Sequence, residues 1–420
     1  MYKKIILKNG LKTIFVPSNN TDIVTVMMIF GVGSRYEKKE ENGISHFLEH
    51  LFFKGTKKRP TQKDIAITLD SIGGIYNAFT SKEYTYYFAK VDKSYLELAF
   101  DFLSDILLNS KFEEKEMEKE RGVILQEYNM YLDTPISYIG DLFEESLYDD
   151  QPIGWSVIGK KENIKRFKRE DFLSYLNRYY LLENAMLVLA GNFKEKEMIN
   201  LALKYFKNLK RGFKKNEKII SQNNIKPKIK IMQKKTDQTH ISIGVKGYNL
   251  NSKEKYAQEI ISVILGGNMS SRFFQKIRTK LGISYYIYTS SVLYTDHGYL
   301  TTSLGVPHEK VKEVIKLILK EYKNVKDGKI LPEEIKMAKE YLKGNLTLSL
   351  DNSESEARFY AFQEFLTDKI LTPDQLKKEI DNIATEDIKK VAKEIFKKEN
   401  LNLAIIGPQK ENDFLNLLKI

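Results

Sequence analysis

The feature that most constrains this chain is a long internal repeat. The stretch from Arg169, REDFLSYLNRYYLLENAMLVLAGN, lies without a gap over the stretch from Thr385, TEDIKKVAKEIFKKENLNLAIIGP. Glu170 and Asp171 match Glu386 and Asp387, Glu183 and Asn184 match Glu399 and Asn400, and Gly191 matches Gly407. Each copy reads as a capped helix, a short turn, an apolar strand and a glycine stop. The offset, 385 minus 169, is about half of the 420 residues, far longer than the roughly 20–50 residues of a solenoid repeat. The pattern therefore predicts two homologous domains, residues 1–215 and 216–420, joined in the Lys/Asn/Gly-rich stretch from Lys207 to Asn224.

Earlier parts of the halves agree. Leu11 to Pro17 and Asp22 to Val32 read as paired strands, as do Lys228 to Gln233 and Thr239 to Gly247. A helix follows in each, Gly43 to Phe53 and Ser252 to Leu265, and then a long Thr/Tyr/Val-rich stretch broken by turns, Ile75 to Asp92 and Ser284 to Val306. Runs of strands followed by runs of helices indicate an α+β fold, two α/β sandwiches with mostly antiparallel sheets. A 42% hydrophobic content is ample for two cores, and the absence of Cys excludes a disulfide scaffold, a Cys-based zinc finger and a thiol nucleophile.

Charge and hydropathy narrow the function. Lys+Arg 68 against Asp+Glu 56 gives +12, but the excess is Lys mixed with Glu on solvated helix faces, with no aromatic interleaving. No nucleic-acid partner is expected. The apolar run Ile23 to Val32 is interrupted by Thr25 and Gly31 and is about half of what spans a bilayer. The N-terminus turns polar too soon for a signal peptide. The expectation is a cytoplasmic protein without a membrane segment.

Two of the five His fall in one pentapeptide, His46-Phe47-Leu48-Glu49-His50, inside the helical pattern Ile44, Phe47, Leu48, Leu51, Phe52. On a helix, positions i and i+4 share a face, so His46 and His50 can hold one ion with Glu49 beside an open position. Metal-assisted hydrolysis needs this set: neutral imidazole ligands, a free coordination site and a carboxylate to take a proton from water. A third protein ligand is required. His240 at a strand start, His297 in an Asp-His-Gly turn and His308 after Pro307 read as solvated or capping residues. A carboxylate on the helix Phe112 to Leu132 suits better. Glu120 and Glu127 sit seven apart on the stripe of Met117, Ile124 and Tyr128, where a carboxylate needs a partner.

Together these segments resemble the pitrilysin/insulinase group of zinc metallopeptidases. The resemblance covers the whole chain: NGISHFLEHLFFKGT, GGIYNAFTSKEYTYY and EKERGVILQEY look like first-domain segments, and SSRFFQKIRTKLGISYYIY looks like the second-domain signature. It implies that His46, His50 and Glu127 hold one Zn2+ per chain, with Glu49 as general base and Glu120 supporting a ligand. It further implies that Arg278 and Tyr285 bind substrate and take part in catalysis, the phenol of Tyr285 stabilising the developing oxyanion, and that Asn77, Ala78 and Phe79 lie on an edge strand where an extended peptide pairs. The matching helix of the second half has no His pair, so only the first half should carry metal. The length resembles the short form typified by the catalytic subunit of mitochondrial processing peptidase. That implies an endopeptidase for short or unfolded peptides enclosed in a two-chain chamber, a homodimer or, alternatively, a heterodimer with a related subunit.

Overall fold

The structure is a computed structural model, and it describes residues 2–212, 227–410, 414 and 416–419. The strands are β1 (Lys3–Ile6), β2 (Lys12–Pro17), β3 (Ile23–Phe30), β4 (Ile75–Thr80), β5 (Thr85–Asp92), β6 (Ala185–Gly191), β7 (Lys228–Gln233), β8 (Thr239–Gly247), β9 (Ile287–Leu293), β10 (Gly298–Val306) and β11 (Leu401–Gly407). They form two sheets, in the orders β1-β2-β6-β3-β5-β4 and β7-β11-β8-β10-β9. Without β1, the second order repeats the first strand for strand, down to the one parallel pair in each, β2 with β6 and β7 with β11. The duplication predicted from the repeat is thus present as topology. β1, which was not foreseen, extends the first sheet by pairing antiparallel to β2.

Four helices build the site or cover the sheets: α1 (Ile44–Leu51), α2 (Glu114–Asp133), α3 (Pro135–Tyr148) and α4 (Ser353–Thr367). In the first unit, one face of the sheet buries Phe15, Val26, Met28, Phe30 and Tyr87 with Phe47, Leu48 and Leu51 of α1. The opposite face, with Ile14, Met27, Ile29, Tyr86 and Val188, is covered by Ala357, Tyr360 and Ala361 of α4. Burial on both faces explains why β6, AMLVLAG, is apolar throughout rather than alternating. Ala357 and Ala361 are one turn apart on α4, and their small side chains let the helix lie close to the strands.

The described residues of this unit fall in 2–129, 155–212 and 349–370, and those of the second in 130–154, 227–348 and 371–419. The units are therefore not the two halves of the chain. The first half sends α3 to the second unit, where Ile139, Leu142 and Phe143 pack with Tyr299, Ala404 and Ile406, and the second half sends α4 to the first. This exchange was not visible in the repeat, because hydrophobic period reports that a helix buries a face and not which sheet it meets. The expected boundary at residues 215/216, and residues 213–224 of the expected join, lie outside the described residues.

One consequence is testable. A fragment of residues 1–215 lacks α4 and leaves the apolar outer face of its sheet bare, well beyond what monomers expose. We expect it to aggregate, and fusion or co-expression of residues 349–370 to return it to a soluble species by size-exclusion chromatography. A monodisperse, folded 1–215 fragment would contradict the exchange.

The matching helix of the second unit is shorter than expected: the α-helix covers Lys255–Ser262, and a π-turn at Val263–Gly267 follows, with Gly266 outside helical geometry. Two readings of His are corrected. His240 and His297 are buried rather than solvated, at 6% and 5% exposure. Their Nδ1 atoms lie 2.7 Å from the Tyr286 hydroxyl and 2.6 Å from Asp296, respectively. Among the described residues no helix is long and apolar enough to cross a membrane.

Candidate metal centre

α1 is short and strongly two-faced. Ile44, Phe47, Leu48 and Leu51 are all within 1% of full burial, which turns His46, Glu49 and His50 toward the opposite side. The two imidazoles stand 4.7 Å apart, centroid to centroid. α2 supplies the carboxylates. Seven residues make two turns, about 10.5 Å along the axis, and the same stripe buries Met117, Glu120 and Ile124.

The ligand geometry follows. His46 Nε2 lies 3.7 Å from one Glu127 oxygen, and His50 Nε2 lies 3.7 Å from the other. One donor atom from each of His46, His50 and Glu127 falls within 4.8 Å of the others, the only such group among the described residues. Donors bound at the usual 2.0–2.2 Å to one tetrahedral ion stand about 3.3–3.6 Å apart. Two imidazoles and one carboxylate suit zinc, and three protein donors leave a fourth position free. Among its described residues the second unit offers no comparable group.

Glu120 does something different. Its side chain is buried, one oxygen 2.7 Å from His50 Nδ1 and the other 2.6 Å from Lys54 Nζ. Burial opposes its charged form, but hydrogen bonds from His50 and Lys54 outweigh it and hold the carboxyl below its ordinary range. The bond fixes the proton of His50 on Nδ1 and leaves Nε2 free as a donor, as outer carboxylates commonly do at metal sites. Burial also disfavours a charged His50, yet the Glu120 hydrogen bond and the carboxylates of Glu120, Glu49 and Glu127 raise its pKa. His46 has the opposite balance: burial, followed by the neighbouring His50, lowers it to about 3, so it stays a neutral imidazole.

Glu49 points beside the cluster. Thr80, the last residue of edge strand β4, donates from Oγ1 to Glu49 Oε2 at 2.5 Å. Burial raises the Glu49 pKa, against the pull of that bond. Asn77, Ala78 and Phe79 precede Thr80 on the same strand, which pairs only with β5 among the described residues. Asn77 and Phe79 are exposed, the latter by 49%, while Asn77 Oδ1 accepts from the Ala78 N–H at 2.9 Å. Arg278 and Tyr285 lie in the second unit, close to each other: the guanidinium sits 5.3 Å from the Tyr285 ring centroid and 4.9 Å from that of Phe274. Sequence reasoning missed Thr80 and Lys54. Lys54 had only a weak signal, four residues after His50 but beyond the end of α1 at Leu51. Thr80 had none, because its partner is set by the strand meeting the helix.

A duplicated α+β sandwich with one His/His/Glu cluster defines a class of metal-dependent hydrolases, and the comparisons with known proteins name the family. The sequence profile of the insulinase family (peptidase family M16) matches residues 13–161, and that of the peptidase M16 inactive domain matches residues 166–342. The chain belongs to this peptidase family and is a zinc metallopeptidase. It is 37% identical over 410 residues to a zinc protease of Rickettsia felis, covering 96% of each chain. It is 32% identical over 413 residues to a zinc protease of Bacillus subtilis, covering 97% of this chain and 98% of the other. A protease from Helicobacter pylori has the same fold, with a TM-score of 0.91 at 23% identity over 97% of this chain and 99% of that one. A chain of complex III2 from Candida albicans also shares it, with a TM-score of 0.85 at 19% identity and full coverage of both.

Proposed function

We propose that the protein is an endopeptidase that cuts short or unfolded peptides bound in extended form, with one zinc per chain held by His46, His50 and Glu127. The convergence of these three donors beside Glu49 carries the reading. Zinc, when bound, supplies a Lewis acid that lowers the pKa of water and polarises the carbonyl under attack. Glu49 accepts the proton of the attacking water and returns it to the leaving amine, a role suited to a carboxyl raised by burial. Thr80 holds Glu49 in place. The free edge of β4 offers backbone N–H and C=O groups to an extended peptide, which pairs as an added strand and presents its carbonyls in register. A folded protein seldom leaves a strand free to pair, which favours unfolded substrates.

Arg278 and Tyr285 act on the substrate and not on the metal. One chain carries both sets of groups, so a homodimer with two equivalent sites inside a closed chamber needs no different partner. Mixing Glu49→Gln chains with Arg278→Ala chains is then expected to recover part of the activity if each site draws on both chains. No recovery despite proven subunit exchange would show that the sites are not shared. The function itself is tested by metal analysis of the purified chain together with cleavage of quenched peptides. Activity that is lost to a chelator and returns with zinc supports it, and a zinc-free chain that cleaves at full rate sinks it.

The two carboxylates of α2 are separable by metal retention. Glu127→Gln removes a donor and is expected to empty most of the site. Glu120→Gln leaves the donors and frees His50 to turn, so zinc binding should weaken by about 10–100-fold. Equilibrium dialysis measures both, and the reverse order would exchange their roles.

A further inference from the structure

The two histidines are held in different ways. His50 has Glu120 on its Nδ1. Among the described residues the buried Nδ1 of His46 has no hydrogen-bond partner, so no hydrogen bond there sets the direction of the ring. Its orientation is set by packing, including the His50 ring 4.7 Å away centroid to centroid, and by the backbone beneath it, the first turn of α1. That turn is capped from outside the helix. The N-cap residue is Gly43, at φ +102°, which offers no side chain to the free N–H groups, and the first turn contains no acidic residue. Glu37, six residues before Gly43, fills this place. It is 3% exposed, and its carboxylate accepts from Gly43 N–H at 2.8 Å, Ser45 N–H at 2.9 Å and Asn42 Nδ2 at 3.0 Å.

The same turn is clamped on its other side. A Cβ on Gly43 would lie 2.8 Å from the Ile158 carbonyl oxygen and 2.9 Å from the Gly159 Cα, so the two backbones touch. Asn42 Nδ2 also donates to the Ser156 carbonyl at 3.1 Å, and Ser45 Oγ lies 2.7 Å from the Tyr175 hydroxyl. Ser45 immediately precedes His46. A negative carboxylate at a helix N-terminus also opposes the partial positive charge there.

We infer that Glu37 is a positioning residue of the metal centre: it fixes the first turn of α1 and thereby aims His46, as Glu120 aims His50. The inference rests on His46 being a ligand. Burial pushes the Glu37 carboxyl up to about 7, against the donors of Ser45, Gly43 and Asn42, so the test belongs at pH 8, where the group is largely ionised. Glu37→Gln keeps the size and one acceptor oxygen, and it is the deciding variant if Glu37→Ala does not fold.

Zinc dissociation constants, by competition with a chromogenic chelator, and visible spectra of the cobalt-substituted chain are compared for wild type, Glu37→Gln, Glu120→Gln and the double variant. Glu37→Gln is expected to bind zinc about 10–100-fold more weakly and to shift the cobalt bands, because the ligand field changes. The double variant should be weaker than wild type by about the product of the two factors, since the residues act on different histidines. A Glu37→Gln chain with wild-type zinc affinity, an unmoved cobalt spectrum, or a double variant no weaker than Glu120→Gln alone would each overturn the inference. His46→Ala is the control. If it retains zinc, the ligand assignment has failed; if it empties the site while Glu37→Gln leaves binding intact, only the role of Glu37 has.

Discussion

Glu49→Gln is expected to leave zinc bound and to lower kcat by at least about 100-fold, the lower end for removal of a general base. The amide has the shape of the carboxylate and can still accept from the Thr80 hydroxyl, whose bond to Glu49 spans 2.5 Å. It cannot take a proton from water. The three donors of the cluster do not include Glu49, so metal content measured on the same preparation separates loss of chemistry from loss of metal. Turnover near the wild-type rate would remove Glu49 as the base. Empty sites would make it part of the metal set. Thr80→Val should give a smaller loss in the same direction, because it removes the hydroxyl that orients the carboxylate while leaving the base itself.

Tyr285→Phe should produce a loss of comparable size for a different reason. Tyr285 is 82% exposed, unusual for a large aromatic residue, and its ring is held by the Arg278 guanidinium 5.3 Å away. In the proposed reaction the hydroxyl donates to the oxyanion that develops on the substrate, and the contact with Arg278 involves only the ring. Removing one donor aimed at a developing oxyanion typically costs about 100–1000-fold in kcat. Phe keeps the ring and its contact with Arg278 and deletes only the O–H. We therefore expect kcat to fall by about that factor with zinc content unchanged, measured by steady-state cleavage of a quenched peptide. Normal turnover would exclude Tyr285 from the reaction, and loss of metal would mean that it acts on the fold.

Much of the centre was legible because it is local. His46, Glu49 and His50 share one turn of one helix, and a spacing of three and four residues places them on one face whatever the helix packs against. Glu120 and Glu127 were picked out by the same logic, being carboxylates on an apolar stripe seven residues apart. The difference between them was not in the spacing. It lies in Lys54 and His50 on one oxygen each of Glu120, against Glu127 opposite both Nε2 atoms. Glu37 looks in the sequence like one more charge in the run Glu37-Lys38-Lys39-Glu40-Glu41, and only folding buries it under the first turn of α1.

The duplication, the α+β class and the His46/Glu49/His50 motif were determined by the sequence alone, because each rests on periodicity or on direct likeness between stretches of chain. The tertiary structure decided which helix covers which sheet. α3 and α4 each bury one side, and hydrophobic burial alone does not say against which sheet. Chain path and close packing made the choice: Ala357 and Ala361 lie against the first sheet, and a Cβ on Gly31 would come within 2.8 Å of the Phe365 ring. Such contacts join residues far apart in the chain, Gly31 and Phe365 by more than 300 positions, and no local pattern encodes them.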